Sequence, residues 1–143
     1  YECVITTYQA ISGAGKDFKS WPEMVENIIP YIGGEEEKSE QEPLKIWGHI
    51  ENGEIVKAAE PKITCQCLRV PVLNGHTAAA FVKFRKKPTK EQLIEKLESY
   101  RGFPQEAQLP MAPEHPYFFA QASACAVDSS AMQLITKRTC AGF

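Results

Sequence analysis

No stretch of this 143-residue sequence approaches the roughly 18 to 20 consecutive apolar residues that a membrane-spanning helix needs. The opening residues, YECVITTYQA, lack the charged-then-apolar layout of a secretory leader, so the expected location is cytoplasmic. There is no polybasic run and the formal net charge is only -2, so neither a nucleic acid nor an anionic membrane surface is expected as a partner. Cysteine is sparse and irregular. Cys3, Cys65, Cys67, Cys125 and Cys140 are odd in number and share no framework, which favours reduced thiols over a disulfide scaffold. Cys65-Gln66-Cys67 has no second pair or histidine cluster beside it to complete a tetrahedron, so no metal site is expected. No internal repeat and no G-x-G-x-x-G nucleotide fingerprint occur.

What is present fits one globular domain: 43% hydrophobic and 24% charged residues allow a real core. Within CLRVPVLNGHTAAAFV, residues 67–82, Arg69 and His76 stand out among apolar and turn-forming neighbours. A solvated surface explains them poorly. Buried arginine is rare without an anionic partner, and its planar fork fits a carboxylate or phosphate best, whether that partner is protein or ligand.

Along the chain, ECVITTYQAI is β-branched and aromatic and ends at the glycine turn Ser12-Gly13-Ala14-Gly15, the pattern of a strand. SWPEMVENIIPYIGG predicts a helix: Ser20 and Glu23 have capping-box spacing, and Met24, Val25, Ile28 and Ile29 share a face. EEEKSEQEPLKIWG predicts a second, polar helix from about Glu35, its three acids placed where the macrodipole favours them. GHIENGEIVKA signals a hairpin around Asn52-Gly53, and PKITCQCLRVPV a longer strand. The Asn74-Gly75 turn leads into the strand HTAAAFVKFRKK. Arg69 near the end of one strand and His76 at the start of the next can therefore converge at one sheet rim. Thr89 and Gln92 form a capping box for a helix with Leu93, Ile94, Leu97 and Tyr100 on one face and Gly102 at its end. FPQEAQLPMAPEHP follows as an extended connector. The expected class is α+β, helices packed on one face of a mixed, mainly antiparallel sheet.

TTYQAISGAG, NIIPYIGGEEEK and RVPVLNGHT, in this order and at these distances, closely resemble the C-terminal catalytic and dimerisation domain of aspartate-β-semialdehyde dehydrogenase. The resemblance covers residues 1–113 and implies a domain like the C-terminal one of glyceraldehyde-3-phosphate dehydrogenase. It further implies an NADP-dependent oxidoreductase that reduces β-aspartyl phosphate through a cysteine thioester and releases phosphate, on the branch to lysine, threonine and methionine. By motif, His76 resembles the general acid/base, Arg69 the clamp on the substrate α-carboxylate, and Gln9 the glutamine that positions the substrate. Glu35 resembles the acid facing the substrate ammonium and Lys38 the phosphate-binding lysine. Ser12 and Gly13 resemble the loop that meets the nicotinamide end of NADP. Homodimers or higher homo-oligomers are implied as well.

Two features depart from that pattern. The family's nucleophile sits in an Asn-Cys dipeptide beyond a nucleotide-binding domain, and none of the five cysteines here follows an asparagine, so the expectation is that this polypeptide alone is inactive. Residues 114–143 lack the family's Ser-Val-Gly-Arg and Ser-His-Asn motifs and are expected to be an atypical C-terminal tail. Two other readings remain open: a non-catalytic self-association module that keeps the sheet, and a domain of the related N-acetyl-glutamyl-phosphate reductase.

Overall fold

The computed structural model describes residues 1–114, 126–127 and 132–138. The β-branched opening segment forms β1 (Glu2–Gln9) at the second position of a five-stranded sheet of order β4-β1-β5-β7-β6. Its neighbours are β4 (Lys62–Arg69), which runs parallel, and β5 (His76–Lys83), which runs antiparallel. A parallel neighbour requires a long crossover rather than a tight turn. Residues 10–61 supply it: two short 3-10 turns, the helix α1 (Glu35–Ile46) and the hairpin of β2 (His49–Glu51) and β3 (Glu54–Val56). Residues 70–75 then carry the chain past the end of β1, so β4 and β5 flank it rather than pair.

The expected class is observed: a mixed, mainly antiparallel sheet with helices. On one face, Cys65, Cys67 and Arg69 of β4 and Gln9 of β1 are buried, whereas Lys62, Thr64 and Gln66 on the other face are exposed. The open face also carries Val4 and Phe81, register partners that are 48% and 45% exposed, with Tyr8 beside them. The alternation follows from the two-residue period of a strand.

The helix α1 lies against β4 and solves an edge problem. The outer amides of an edge strand lack a ladder partner. Here the Oε1 atom of Glu40 accepts from the Cys65 N–H at 2.9 Å, and that of Glu36 from the Cys67 N–H at 3.2 Å. Two carboxylates four apart on one helical face stand in for a missing strand. Glu36→Ala and Glu40→Ala should each destabilise the fold by about 1–3 kcal/mol, the cost of orphaning a shielded amide, whereas the glutamine variants keep an acceptor oxygen and should lose less. Urea unfolding measures this; unchanged midpoints for both alanine variants would refute the edge-capping role.

Three local expectations are corrected. The helix expected from Ser20 is only a 3-10 turn, Pro22–Met24. Ser20 pairs reciprocally with Asp17 instead of capping toward Glu23, Glu26 adopts a left-handed φ of 58°, and Ile29 forms an antiparallel bridge to Arg69. Met24 is buried, but Val25 and Ile28 are exposed. The helix α2 (Lys90–Ser99) has the expected Thr89–Gln92 capping box, yet it ends before Gly102. Gly102 instead opens α3 (Phe103–Glu106), where the Gln105 side chain accepts its N–H at 3.0 Å, so the connector is partly helical.

Of the tail from residue 114, β6 (Ala126–Val127) and β7 (Met132–Arg138) are described, and β7 pairs antiparallel with β5. Apart from Glu114, the remainder of the tail, with Cys125 and Cys140, lies outside the described residues.

Candidate functional site

Strand direction gathers the site. Parallel pairing sets Gln9 opposite Arg69 at the C-terminal ends of β1 and β4. The antiparallel β5 begins at that same rim, where Thr77 pairs with Tyr8 and His76 is one residue further out. The expected convergence of Arg69 and His76 is thus observed, with β1 between their strands.

Ala10 joins them. β1 ends at Gln9, and Ala10 keeps an extended backbone, φ -67° and ψ 152°, before the 3-10 turn Ile11–Ala14. Its N–H donates to Nδ1 of His76 at 3.1 Å, and its carbonyl accepts from Nη1 of Arg69 at 2.8 Å. Arg69 is 7% exposed, and no carboxylate of the described residues lies within ion-pair distance of it. A guanidinium shielded from water and held only by a neutral carbonyl keeps its full charge available to an anion.

The turn that follows is tied down by amides of Ile11 and Ser12 donating to the carbonyls of Val72 and Leu73 at 2.9 and 3.2 Å. Gly13 then passes very close to the side chains of both Arg69 and His76. A Cβ built on it would lie 3.0 Å from Nε2 of His76 and 3.0 Å from Nη1 of Arg69, so those two nitrogens are at most 6.0 Å apart. Ser12 and Gly13 are exposed, but the Ser12 amide goes to Leu73 and the Gly13 amide to the Ala10 carbonyl at 3.1 Å. With its amides committed, this loop can offer a flat glycine surface and a hydroxyl, which suit contact with a ring better than a phosphate cradle.

A second cluster adjoins the first. Gln9 is 8% exposed, and its Nε2 donates to Thr7 Oγ1 at 3.3 Å and, at a long 3.5 Å, to Glu35 Oε2. Glu35 Oε1 is 3.7 Å from Nζ of Lys38, one helical turn on. Both stand at the start of α1, next to the β4 that carries Arg69. Gln9, Glu35 and Lys38 thus form one chain of contacts, and Arg69, His76 and Gly13 meet around Ala10. A half-exposed Lys38 paired so loosely is bound weakly to Glu35.

Cys65 and Cys67 are buried with their sulfurs 3.7 Å apart, and burial, reinforced by the neighbouring Cys67 thiol, pushes the Cys65 thiol up to about 12. A nucleophilic cysteine needs the opposite shift. Among the described residues no cluster of three or more His, Cys, Asp or Glu side chains could hold a metal ion, and no helix is long and apolar enough to cross a membrane.

Ala10 escaped sequence reasoning because its contribution is made by backbone atoms and leaves no residue-type signal. Glu36 and Glu40 had a signal, their i,i+4 spacing within EEEKSE, but nothing in a polar helix marks which acids face a strand edge.

A family model described as semialdehyde dehydrogenase, dimerisation domain, matches residues 1–122. The chain is 39% identical over 112 residues to an aspartate-semialdehyde dehydrogenase of Methanothermobacter thermautotrophicus, an alignment covering 78% of this chain and 32% of that protein. It is 40% identical over 117 residues to the Schizosaccharomyces pombe aspartate-semialdehyde dehydrogenase, covering 80% of this chain and 32% of that one. The chain thus spans about a third of the length of the curated relatives it matches. Among solved structures, an aspartate semialdehyde dehydrogenase with NADP from Candida albicans superposes with a TM-score of 0.72 at 25% identity, covering 94% of this chain and 44% of that one.

Proposed function

The chain belongs to the semialdehyde dehydrogenase dimerisation-domain family, and from that premise we propose that it is the substrate-binding and self-associating part of an NADP-dependent aspartate-semialdehyde dehydrogenase. The reaction is reduction of β-aspartyl phosphate to the semialdehyde with release of phosphate, in cytoplasmic lysine, threonine and methionine biosynthesis. One observation carries this reading: the buried Arg69, without a carboxylate partner among the described residues, and His76 both bond to the backbone of Ala10, one at its carbonyl and the other at its N–H, at the rim where Gln9 also ends.

In this reading Arg69 receives the substrate α-carboxylate in a charge-assisted, fork-shaped contact. Glu35 faces the substrate ammonium, and Gln9, held between Thr7 and Glu35, orients the carbon skeleton. Lys38 is a point charge for the phosphate. His76 exchanges protons with the reacting thiol and the oxygen of the hemithioacetal, a task suited to an imidazole near neutral pH. Ser12 and Gly13 meet the nicotinamide, and NADPH when bound supplies the hydride. The polypeptide holds no Asn-Cys dipeptide, so turnover by it alone is not expected.

Self-association tests the assignment of the sheet face. Val4, Tyr8 and Phe81 leave an apolar strip on the open side of the sheet, and a second copy covering it would remove that strip from water. Sedimentation velocity at micromolar concentrations should show a dimer, and the double variant Val4→Glu with Phe81→Glu should be monomeric because it places two charges in the covered strip. A monomeric parent chain, or a dimer indifferent to both charges, would refute this use of the face.

A further inference from the structure

The Ala10 contact has a chemical consequence for His76 that reaches past its role as a proton-exchanging group. A neutral imidazole carries one proton on one of two nitrogens, and a hydrogen bond at one nitrogen decides which. Here Nδ1 faces the Ala10 N–H at 3.1 Å and must be the acceptor. A proton on Nδ1 would set donor against donor, and flipping the ring would put a carbon in front of the amide. Nε2, the nitrogen on the Gly13 side near Nη1 of Arg69, is left to carry the proton.

We infer that Ala10 is a positioning residue that holds neutral His76 as its Nε2–H tautomer, so that the resting ring meets a ligand as a hydrogen-bond donor. The inference rests on the reading of this rim as the ligand site but not on the identity of the ligand. Arg69 Nη1 is also a donor and lies no more than 6.0 Å from Nε2, so two donors flank Gly13 and together select an oxygen-bearing acceptor, a carboxylate, phosphate or carbonyl group, over a donor such as an ammonium. Both are oriented by opposite ends of one residue: the Ala10 N–H sets the histidine tautomer and the Ala10 carbonyl sets the guanidinium. For Nε2 to take a proton from a thiol, the neutral ring must first pass its Nε2 proton to solvent, receive one at Nδ1 and give up the Ala10 bond. The accepting form is the minor one in the resting site.

Ala10→Pro strips the N–H while keeping the carbonyl, at a φ of -67° that suits proline and after a strand residue, Gln9; its ring carbon takes the place of the amide hydrogen and moves the exposed His76 ring out of the contact. Long-range proton–nitrogen correlation spectra of the nitrogen-15-labelled chain, at a pH well above the ordinary imidazole pKa of about 6.5, report the tautomer of each histidine. The His76 signals are assigned by their loss in His76→Gln. Relative to the same chain unfolded in urea, folded His76 should be shifted toward Nε2–H by about fivefold or more, in line with one neutral hydrogen bond. Ala10→Pro should erase that shift while Thr77 and Ala78 amides keep their folded positions. A folded tautomer ratio equal to the unfolded one, or a dominant Nδ1–H form, overturns the inference even if Ala10→Pro fails to fold. Neither outcome bears on self-association through the sheet face, so the family-based reading stands or falls separately.

Discussion

Arg69→Met is expected to abolish the stabilisation that phosphate confers on this chain while leaving the ligand-free fold as stable as before or more so. The two effects have opposite causes. With a dissociation constant on the order of 10 mM, phosphate at 100 mM should stabilise the native chain by about 1.4 kcal/mol through mass action. Removing the guanidinium removes that term. In ligand-free buffer, however, Arg69 is only 7% exposed and its one side-chain bond goes to a neutral carbonyl. The desolvation of an unneutralised charge costs several kcal/mol, more than the roughly 1.5–3 kcal/mol that a charged hydrogen bond returns. The Ala10 carbonyl also retains the Gly13 N–H after the change. Melting curves with and without phosphate at equal ionic strength separate the terms, and Lys38→Ala should lose only part of the phosphate effect because that lysine is half exposed and tied to Glu35. An Arg69→Met protein that responds to phosphate like the parent would eliminate the anion site; one that simply unfolds would show that Arg69 is structural rather than held ready for a ligand.

Gly48→Ala should cost the fold about 3 kcal/mol, the upper end of what overpacking usually does. Gly48 sits between α1 and the hairpin. A Cβ there would lie 2.1 Å from the Val56 carbonyl oxygen and 3.2 Å from that of Leu44. Both obstacles are backbone, so no rotamer change relieves them, and the hairpin must part from the end of α1. The bond from the Ala58 N–H to the Leu44 carbonyl, 2.9 Å, lies in the same seam and should go with it. Gly13→Ala is the contrasting change: its Cβ meets the His76 and Arg69 side chains, which can swing away, so the fold should survive while the site loses its geometry. Unfolding free energies from urea titration decide the matter. A Gly48→Ala protein within about 0.5 kcal/mol of the parent, the usual range of a neutral surface change, would mean that α1 and the hairpin are not joined as described.

Local chemistry alone marked out β1, α1, the Asn52-Gly53 hairpin, β4, β5 and the capped start of α2, because strand alternation, acids at a helix start and turn residues act over a few positions. It also singled out Arg69 and His76 as misfits that needed compensation, and the motifs around them pointed to the family that the chain matches. The tertiary structure decided what compensates them. Parallel pairing of β1 with β4 brought Gln9 and Arg69 together across sixty residues, and the end of β1 freed the N–H and the carbonyl of Ala10 for the His76 and Arg69 side chains. Asp17 diverted Ser20 from its helix, and Glu36 and Glu40 became edge caps only because β4 presented unpaired amides to them. In each case the deciding partner is a backbone group or a residue distant in sequence, and backbone donors and acceptors are the same at every non-proline position, so no pattern of side chains announces where they will be left unpaired.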